Sequence, residues 1–151
     1  MDNMSEHMRE QQPKDAPAPA AADYRFWTEE KLRNADTDQQ GHVNNANIAT
    51  FFESGRIDML SAPAIAQIRA VTRIVVVRML TNFKKELFFP GTVRVGTRVA
   101  RIGRTSLTFD QTIHAANGEV ATAEATCVLI DKATREPTPV PEALRAYLTG
   151  R

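Results

Sequence analysis

The sequence predicts an α+β domain in which one antiparallel β-sheet wraps a single long central helix. Three observations carry that expectation. Ile48, Phe51, Phe52, Gly55 and Met59 recur at three- and four-residue spacing, which marks one buried helical face. From Thr72 onward the apolar period changes to two and stays there to Asp131. Between the alternating runs stand turn signals, of which Asn117-Gly118 is the strongest, because both residue types tolerate positive φ.

The elements follow in order. Residues 1–23 are polar and charged, then Pro/Ala-rich, ending in Ala16-Pro17-Ala18-Pro19-Ala20. Without an apolar period they are expected to form a disordered or extended arm that carries no chemistry, leaving 24–151 as the one folded domain. Tyr24 to Arg33, with Phe26, Trp27 and Leu32, reads as a first strand. Asn44 or Asn45 is a good N-cap for the long helix, and Pro63 stops that helix near Ser61. A short helical segment or loop runs on through Ile68. Thr72 to Leu87, with Ile74, Val75, Val76 and Val77, is predicted to be a long, well-buried strand.

Pro90-Gly91 turns the chain into a strand where Val93, Val95 and Val99 alternate with Arg94 and Arg98. Gly103-Arg104 breaks it. Leu107, Phe109 and Ile113 then alternate with Thr108, Asp110 and Thr112, and the hairpin leads into a last strand, Val120 to Asp131. Ala121, Ala123 and Ala125 share one side of it, which suits close packing against a helix or another subunit. Pro141 to Leu148 reads as a short capping helix with its proline at an early position.

Composition excludes several classes. A chain of 151 residues is one domain of common size. Nineteen basic residues against eighteen acidic ones argue against a nucleic-acid-coating protein. Cys127 is the only cysteine, so neither an intrachain disulfide nor a cysteine-based zinc cluster can form. Its place in a strand pattern favours a buried structural thiol over a nucleophile. No histidine–carboxylate set has metal-ligand spacing, and no metal is expected. No apolar run approaches a membrane span and no signal-peptide core is present, so a soluble cytoplasmic protein is expected, with no membrane partner.

The chemistry concentrates in Asp36-Thr37-Asp38-Gln39-Gln40-Gly41-His42-Val43-Asn44-Asn45. A carboxylate just ahead of a helix N-terminus shares a small volume with free backbone N–H groups, so a base and an oxyanion site stand side by side. That is equipment for attacking a carbonyl. Most Asp-x-x-Gly sequences are plain turns, and the flanking Gly-His-Val-Asn-Asn is what lifts Asp38 above that reading. Asp36 fits a structural use, fixing the turn or pairing with a nearby arginine.

With Phe51-Phe52-Glu53-Ser54-Gly55-Arg56 downstream, this segment resembles the signature of hotdog-fold acyl-CoA thioesterases, most closely the 4-hydroxybenzoyl-CoA thioesterase-like group. The likeness extends through Ile102-Gly103-Arg104-Thr105-Ser106-Leu107-Thr108-Phe109 to a Pro-Val-Pro-Glu tail at Pro139 to Glu142. It covers nearly everything from Tyr24 to the C-terminus. The helix-entry motif is fairly specific; the strand pattern alone is not.

The resemblance implies hydrolysis of an acyl-CoA thioester to a free acid and coenzyme A, with no cofactor beyond that substrate. It assigns Asp38 as general base or nucleophile, with first-turn amides around Asn45 polarising the thioester oxygen. Such a donor is typically worth about 3 kcal/mol. His42 suits either proton transfer or hydrogen-bonded packing. Asn44 or Asn45 could hydrogen-bond the base or water, although capping explains an asparagine there equally well. Glu53 is a second candidate, since some hotdog thioesterases use a helix glutamate from the facing subunit; its plain reading is an exposed i,i+3 pair with Arg56.

Arg101 and Arg104, flanking a bulge at Gly103, and Lys84 with Lys85 are the candidates for coenzyme A phosphates, Arg104 foremost. Charged strand ends serve solubility as well. A homodimer or homotetramer is expected, with the active site in a groove between subunits. Two other readings stay open: a hotdog hydratase or dehydratase on acyl thioesters, and a non-catalytic acyl-thioester-binding dimer. Phe51, Phe52, Met59 and Met79 could line an acyl pocket, but helix core is their commoner use.

Overall fold

The computed structural model describes residues 23–150. The expected arm at 1–23 lies outside the described residues except for Asp23. The central helix, α1 (Asn45–Met59), precedes a 3-10 turn at Pro63–Ile65 and a short helix α2 (Ala66–Val71). Five strands, β1 (Phe26–Lys31), β2 (Thr72–Phe83), β3 (Thr92–Ile102), β4 (Ser106–Ala115) and β5 (Gly118–Asp131), and the helix α3 (Glu142–Thr149) complete it. The strands form one sheet in the order β1-β3-β4-β5-β2, antiparallel at every pairing.

The helix stripe does what its spacing predicts. Ile48, Phe51 and Phe52 are buried against Val93, Val95, Ile113, Ala121 and Ala123 of the sheet. Gly55 marks the closest approach: a Cβ there would stand 2.7 Å from Thr97 Oγ1 and 2.8 Å from Val95 Cγ1. β5 alternates buried and half-buried residues along its length, so its alanines face α1 while the other face turns outward. A second apolar cluster, with Leu107, Phe109, Cys127 and Leu129, is covered by Ile65, Val140 and Leu144.

Several expectations change. β1 is shorter than Tyr24–Arg33, although Tyr24 and Leu32 just outside it are buried. β2 ends at Phe83 rather than Leu87 and is not well buried, because it is the last strand of the sheet with nothing beyond it. Val75, Val76, Val77, Leu80 and Phe83 are exposed. The irregularity in β3 falls between Val99 and Arg101, not at Gly103, which sits in the β3–β4 turn and donates its amide to Ser106 O at 2.8 Å. At the β4–β5 hairpin only Gly118 uses a positive φ, +106°, since the register shift beside His114 puts the special conformation on one residue. Among the described residues no helix is long and apolar enough to cross a membrane.

Candidate active site

Asp36 builds the approach to α1. Its Oδ2 accepts from the Arg33 amide at 2.8 Å and its Oδ1 from the Arg33 guanidinium at 2.9 Å. Its carbonyl accepts from Asn44 N at 2.8 Å and Asn47 Nδ2 at 2.9 Å. Burial alone would raise such a carboxyl, but the Arg33 hydrogen bonds and charge outweigh it and hold Asp36 below its ordinary value. The residue fixes the turn and pairs with an arginine at once.

Asp38 begins a loop closed on itself. Thr37 bridges to Val43, Asp38 N donates to His42 O at 3.0 Å, and Gly41 N donates to Asp38 O at 3.1 Å. Gly41 takes φ +87°, a value natural only to glycine. Inside this loop Asp38 Oδ1 accepts from Gln40 N at 2.9 Å, while Oδ2 lies 3.6 Å from His42 Nδ1. The Asp38 side chain keeps 26% exposure, enough to meet a water molecule or a carbonyl carbon.

His42 is committed to the same loop. Its Nδ1 lies 3.2 Å from the Val43 carbonyl and its Nε2 2.9 Å from the Gln40 side-chain oxygen position. A neutral ring satisfies both contacts when the Gln40 amide is turned to donate to one nitrogen.

The helix entry leaves one donor unspent. The Asn44 side chain accepts from Ala46 N at 2.8 Å, and its carbonyl accepts from Asn47 N and Ile48 N. Among the described residues the Asn45 amide has no intrachain acceptor, and it opens α1 at the positive end of the helix dipole. Val43 N donates to Leu87 O at 2.7 Å, tying this end of the helix to the chain after β2.

A cavity of about 380 Å³ lies here, lined among others by Gln40, His42, Asn45, Phe83, Lys84 and Leu87. Asp38 is not in its lining and borders it through Gln40 and His42. Lys84 forms an ion pair with Glu119, which also accepts from Thr112 Oγ1 at 2.8 Å. Burial would raise the Glu119 carboxyl, yet Lys84 and Thr112 hold it below its ordinary value. Lys85 Nζ donates to the Asn117 carbonyl.

The remaining candidates stand apart within one chain. Arg101 is exposed on β3 in a groove of about 660 Å³ against α3. Arg104 is exposed in the β3–β4 turn, where its carbonyl accepts from Val140 N at 2.8 Å. Glu53 is exposed on α1 and lines a third cavity. It forms no ion pair with Arg56, which instead turns inward and donates Nη1 to Gln111 Oε1 at 2.8 Å. Cys127 is buried, and burial pushes its thiol up, away from thiolate chemistry. Among the described residues no group of three or more His, Cys, Asp or Glu could hold a metal.

The thioesterase-like superfamily matches residues 32–148. The chain belongs to that superfamily. No curated protein sequence matches it. Among solved structures, a predicted thioesterase of Bacillus stearothermophilus is 30% identical at TM-score 0.75, covering 83% of this chain and 94% of its own. A thioesterase of Thermus thermophilus, solved with coenzyme A and zinc, is 26% identical at TM-score 0.75, with 84% and 93% covered. A DHNA-CoA thioesterase of Staphylococcus aureus is 27% identical at TM-score 0.68, with 76% and 79% covered. This thioesterase therefore has the hotdog fold, and its enzyme class is thioester hydrolysis.

Residue-by-residue reading missed Gln40, which touches both Asp38 and His42, and Glu119, which holds Lys84. Gln40 lay inside the motif and could have been read as its organiser. Glu119 carried no signal, because its partner comes from another strand end.

Proposed function

We propose that this thioesterase hydrolyses acyl-CoA thioesters to the free carboxylic acid and coenzyme A, with Asp38 as general base or nucleophile. The observation that carries this is the unspent Asn45 amide at the positive end of α1, one tight loop after a carboxylate held by the Gln40 amide. As base, Asp38 takes a proton from water while the water oxygen bonds to the thioester carbon. As nucleophile, it bonds to that carbon itself, and water later cleaves the mixed anhydride. Either way the carbonyl electrons move onto oxygen, where the Asn45 N–H donates. They return as the C–S bond breaks and thiolate leaves; on the base route it takes up the proton that Asp38 removed from water, and on the nucleophile route the proton released when water cleaves the anhydride. A thiol of ordinary acidity departs without a strong general acid, so this route needs neither metal nor a Ser or Cys nucleophile.

The other residues take supporting parts. Asn44 orients the helix entry, and His42 shapes the loop. Lys84, which lines the Asn45 cavity beside Lys85, contacts a coenzyme A phosphate, with Arg101 and Arg104 reaching the same ligand from a neighbouring subunit. The Thermus relative solved with coenzyme A supports that thiol portion. A homodimer or homotetramer has a physical motive in β2, whose free edge carries Val75, Val77, Leu80 and Phe83 exposed. A second copy covering that edge also brings Glu53 toward the facing site as a second carboxylate.

A free-thiol assay over acyl-CoAs of graded chain length and aryl-CoAs tests the reading. Thiol release matched by acid formation is expected for part of the panel. A folded protein silent on every thioester would leave a binding module in its place.

A further inference from the structure

Gln40 touches the loop at two points. Its backbone amide donates to Asp38 Oδ1 at 2.9 Å, and its side-chain tip lies 2.9 Å from His42 Nε2. What that tip presents is decided on the far side of the ring. His42 Nδ1 stands 3.2 Å from the Val43 carbonyl oxygen and 3.6 Å from Asp38 Oδ2, and neither group has a hydrogen to give. A bare Nδ1 would set its lone pair against both, so the neutral ring carries its hydrogen there. Nε2 is then the acceptor, and the Gln40 amide meets it with its NH2 end.

That orientation frees the Gln40 carbonyl oxygen. Gln40 and His42 line the cavity at Asn45, while Asp38 borders it through them. Of their neighbours in that lining, Lys84 and Lys85 can only donate, and both His42 nitrogens are engaged. The loop thus offers a neutral acceptor beside a carboxylate whose Oδ1 is already loaded by the Gln40 amide. A water molecule has two hydrogens, and two acceptors of this kind hold it in one orientation.

We infer that the Gln40 side chain positions the hydrolytic water, its NH2 on His42 Nε2 and its carbonyl oxygen on one hydrogen of that water. The inference rests on Asp38 as the base and extends that reading from the Gln40 backbone to its side chain. The second hydrogen of the water points at Asp38 Oδ2, which takes that proton as the water oxygen bonds to the thioester carbon. The first stays on the water oxygen, held by Gln40, while the carbonyl electrons move toward the Asn45 N–H. His42 acts behind Gln40, because its bare Nε2 keeps the amide from turning.

Long-range 15N–1H NMR of the imidazole rings in the full chain reads the tautomer without turnover, with His42→Asn assigning one signal among three histidines. At about pH 8, above the ordinary imidazole range, the expected pattern is hydrogen on His42 Nδ1 and a bare Nε2. Hydrogen on Nε2 overturns the inference. Gln40→Met then tests the water, since it keeps the backbone donor to Asp38 and removes both side-chain hydrogen bonds. Its kcat is expected to fall about fivefold to tenfold, the worth of one neutral hydrogen bond, with KM changed less than about twofold and an unchanged melting curve. Wild-type kcat in that variant, or a loss carried by KM, overturns the inference. The catalytic reading fails separately: Asp38→Asn at wild-type turnover removes the base, whereas a wrong tautomer with Asp38 essential sinks the Gln40 assignment alone.

Discussion

Gln40 holds Asp38 from two residues away, its backbone amide donating to Asp38 Oδ1 at 2.9 Å. The contact fixes the carboxylate rotamer and loads one oxygen, leaving Oδ2 as the oxygen available to a water molecule or a carbonyl carbon. Because the donor is backbone, the arrangement survives loss of the Gln40 side chain but not loss of the loop. Thr37–Val43 pairing and the left-handed Gly41 make that loop.

His42 follows from the same geometry. Its ring lines the cavity, but Nδ1 lies 3.2 Å from Val43 O and 3.6 Å from Asp38 Oδ2 and Nε2 lies 2.9 Å from the Gln40 side chain, which points to loop-shaping rather than proton transfer. His42→Asn is expected to lower kcat by less than about tenfold, whereas a lost general acid or base costs about a hundredfold or more. Steady-state kinetics on the best acyl-CoA decides it, and a hundredfold loss with an unchanged fold would return His42 to the mechanism.

Gly55→Ala sets two effects against each other. Alanine gains roughly 1 kcal/mol of helix propensity over glycine. Its methyl would press on Thr97 Oγ1 and Val95 Cγ1, short side chains with no far end to swing away. Overpacking of this kind costs about 1–3 kcal/mol, so the variant is expected to melt lower by several degrees. A higher melting temperature would show that α1 lifts from the sheet without penalty.

Asp36 predicts a pH dependence of stability. Its folded-state carboxyl lies below the unfolded value of 3.8, so its contribution is complete above that value and lost as pH falls through the lower folded one. Much of the Arg33 side chain is exposed and screened, leaving the buried hydrogen bonds as the main term. Asp36→Asn is expected to cost about 1–3 kcal/mol in urea unfolding at pH 6. The gap from the wild type should close below about pH 4, and a constant gap from pH 6 to pH 3 would contradict the linkage.

The free edge of β2 predicts an oligomer. Val77 is 59% exposed beside the register shift of that strand. Val77→Lys is expected to convert a dimer or tetramer to monomer in light scattering, since a charge there blocks edge pairing. A monomeric wild type would remove the subunit groove from the account.

How much of this was legible in the residues depends on how local each feature is. The α1 stripe, the β4–β5 hairpin and the Asp36–Asn45 entry are set by neighbours in sequence, and they stand where spacing put them. Burial of β2 was not legible, because Val75, Val76 and Val77 look the same at the centre of a sheet and at its edge. The Glu53–Arg56 spacing invited a surface pair, but Gln111, fifty-five residues along the chain, captures Arg56 in the core. The basic candidates were placed by strand ends, and the fold sends Lys84 to one cavity and Arg101 to another.

Turnover of Asp38→Asn bears most directly on the central claim. Asparagine keeps the size and an oxygen acceptor for the Gln40 amide, so the fold and the Asn45 amide should be preserved. The expected result is loss of at least about a hundredfold in kcat on the preferred acyl-CoA, with an unchanged melting curve. Wild-type turnover in that variant would contradict the assignment and take Asp38 out of the mechanism.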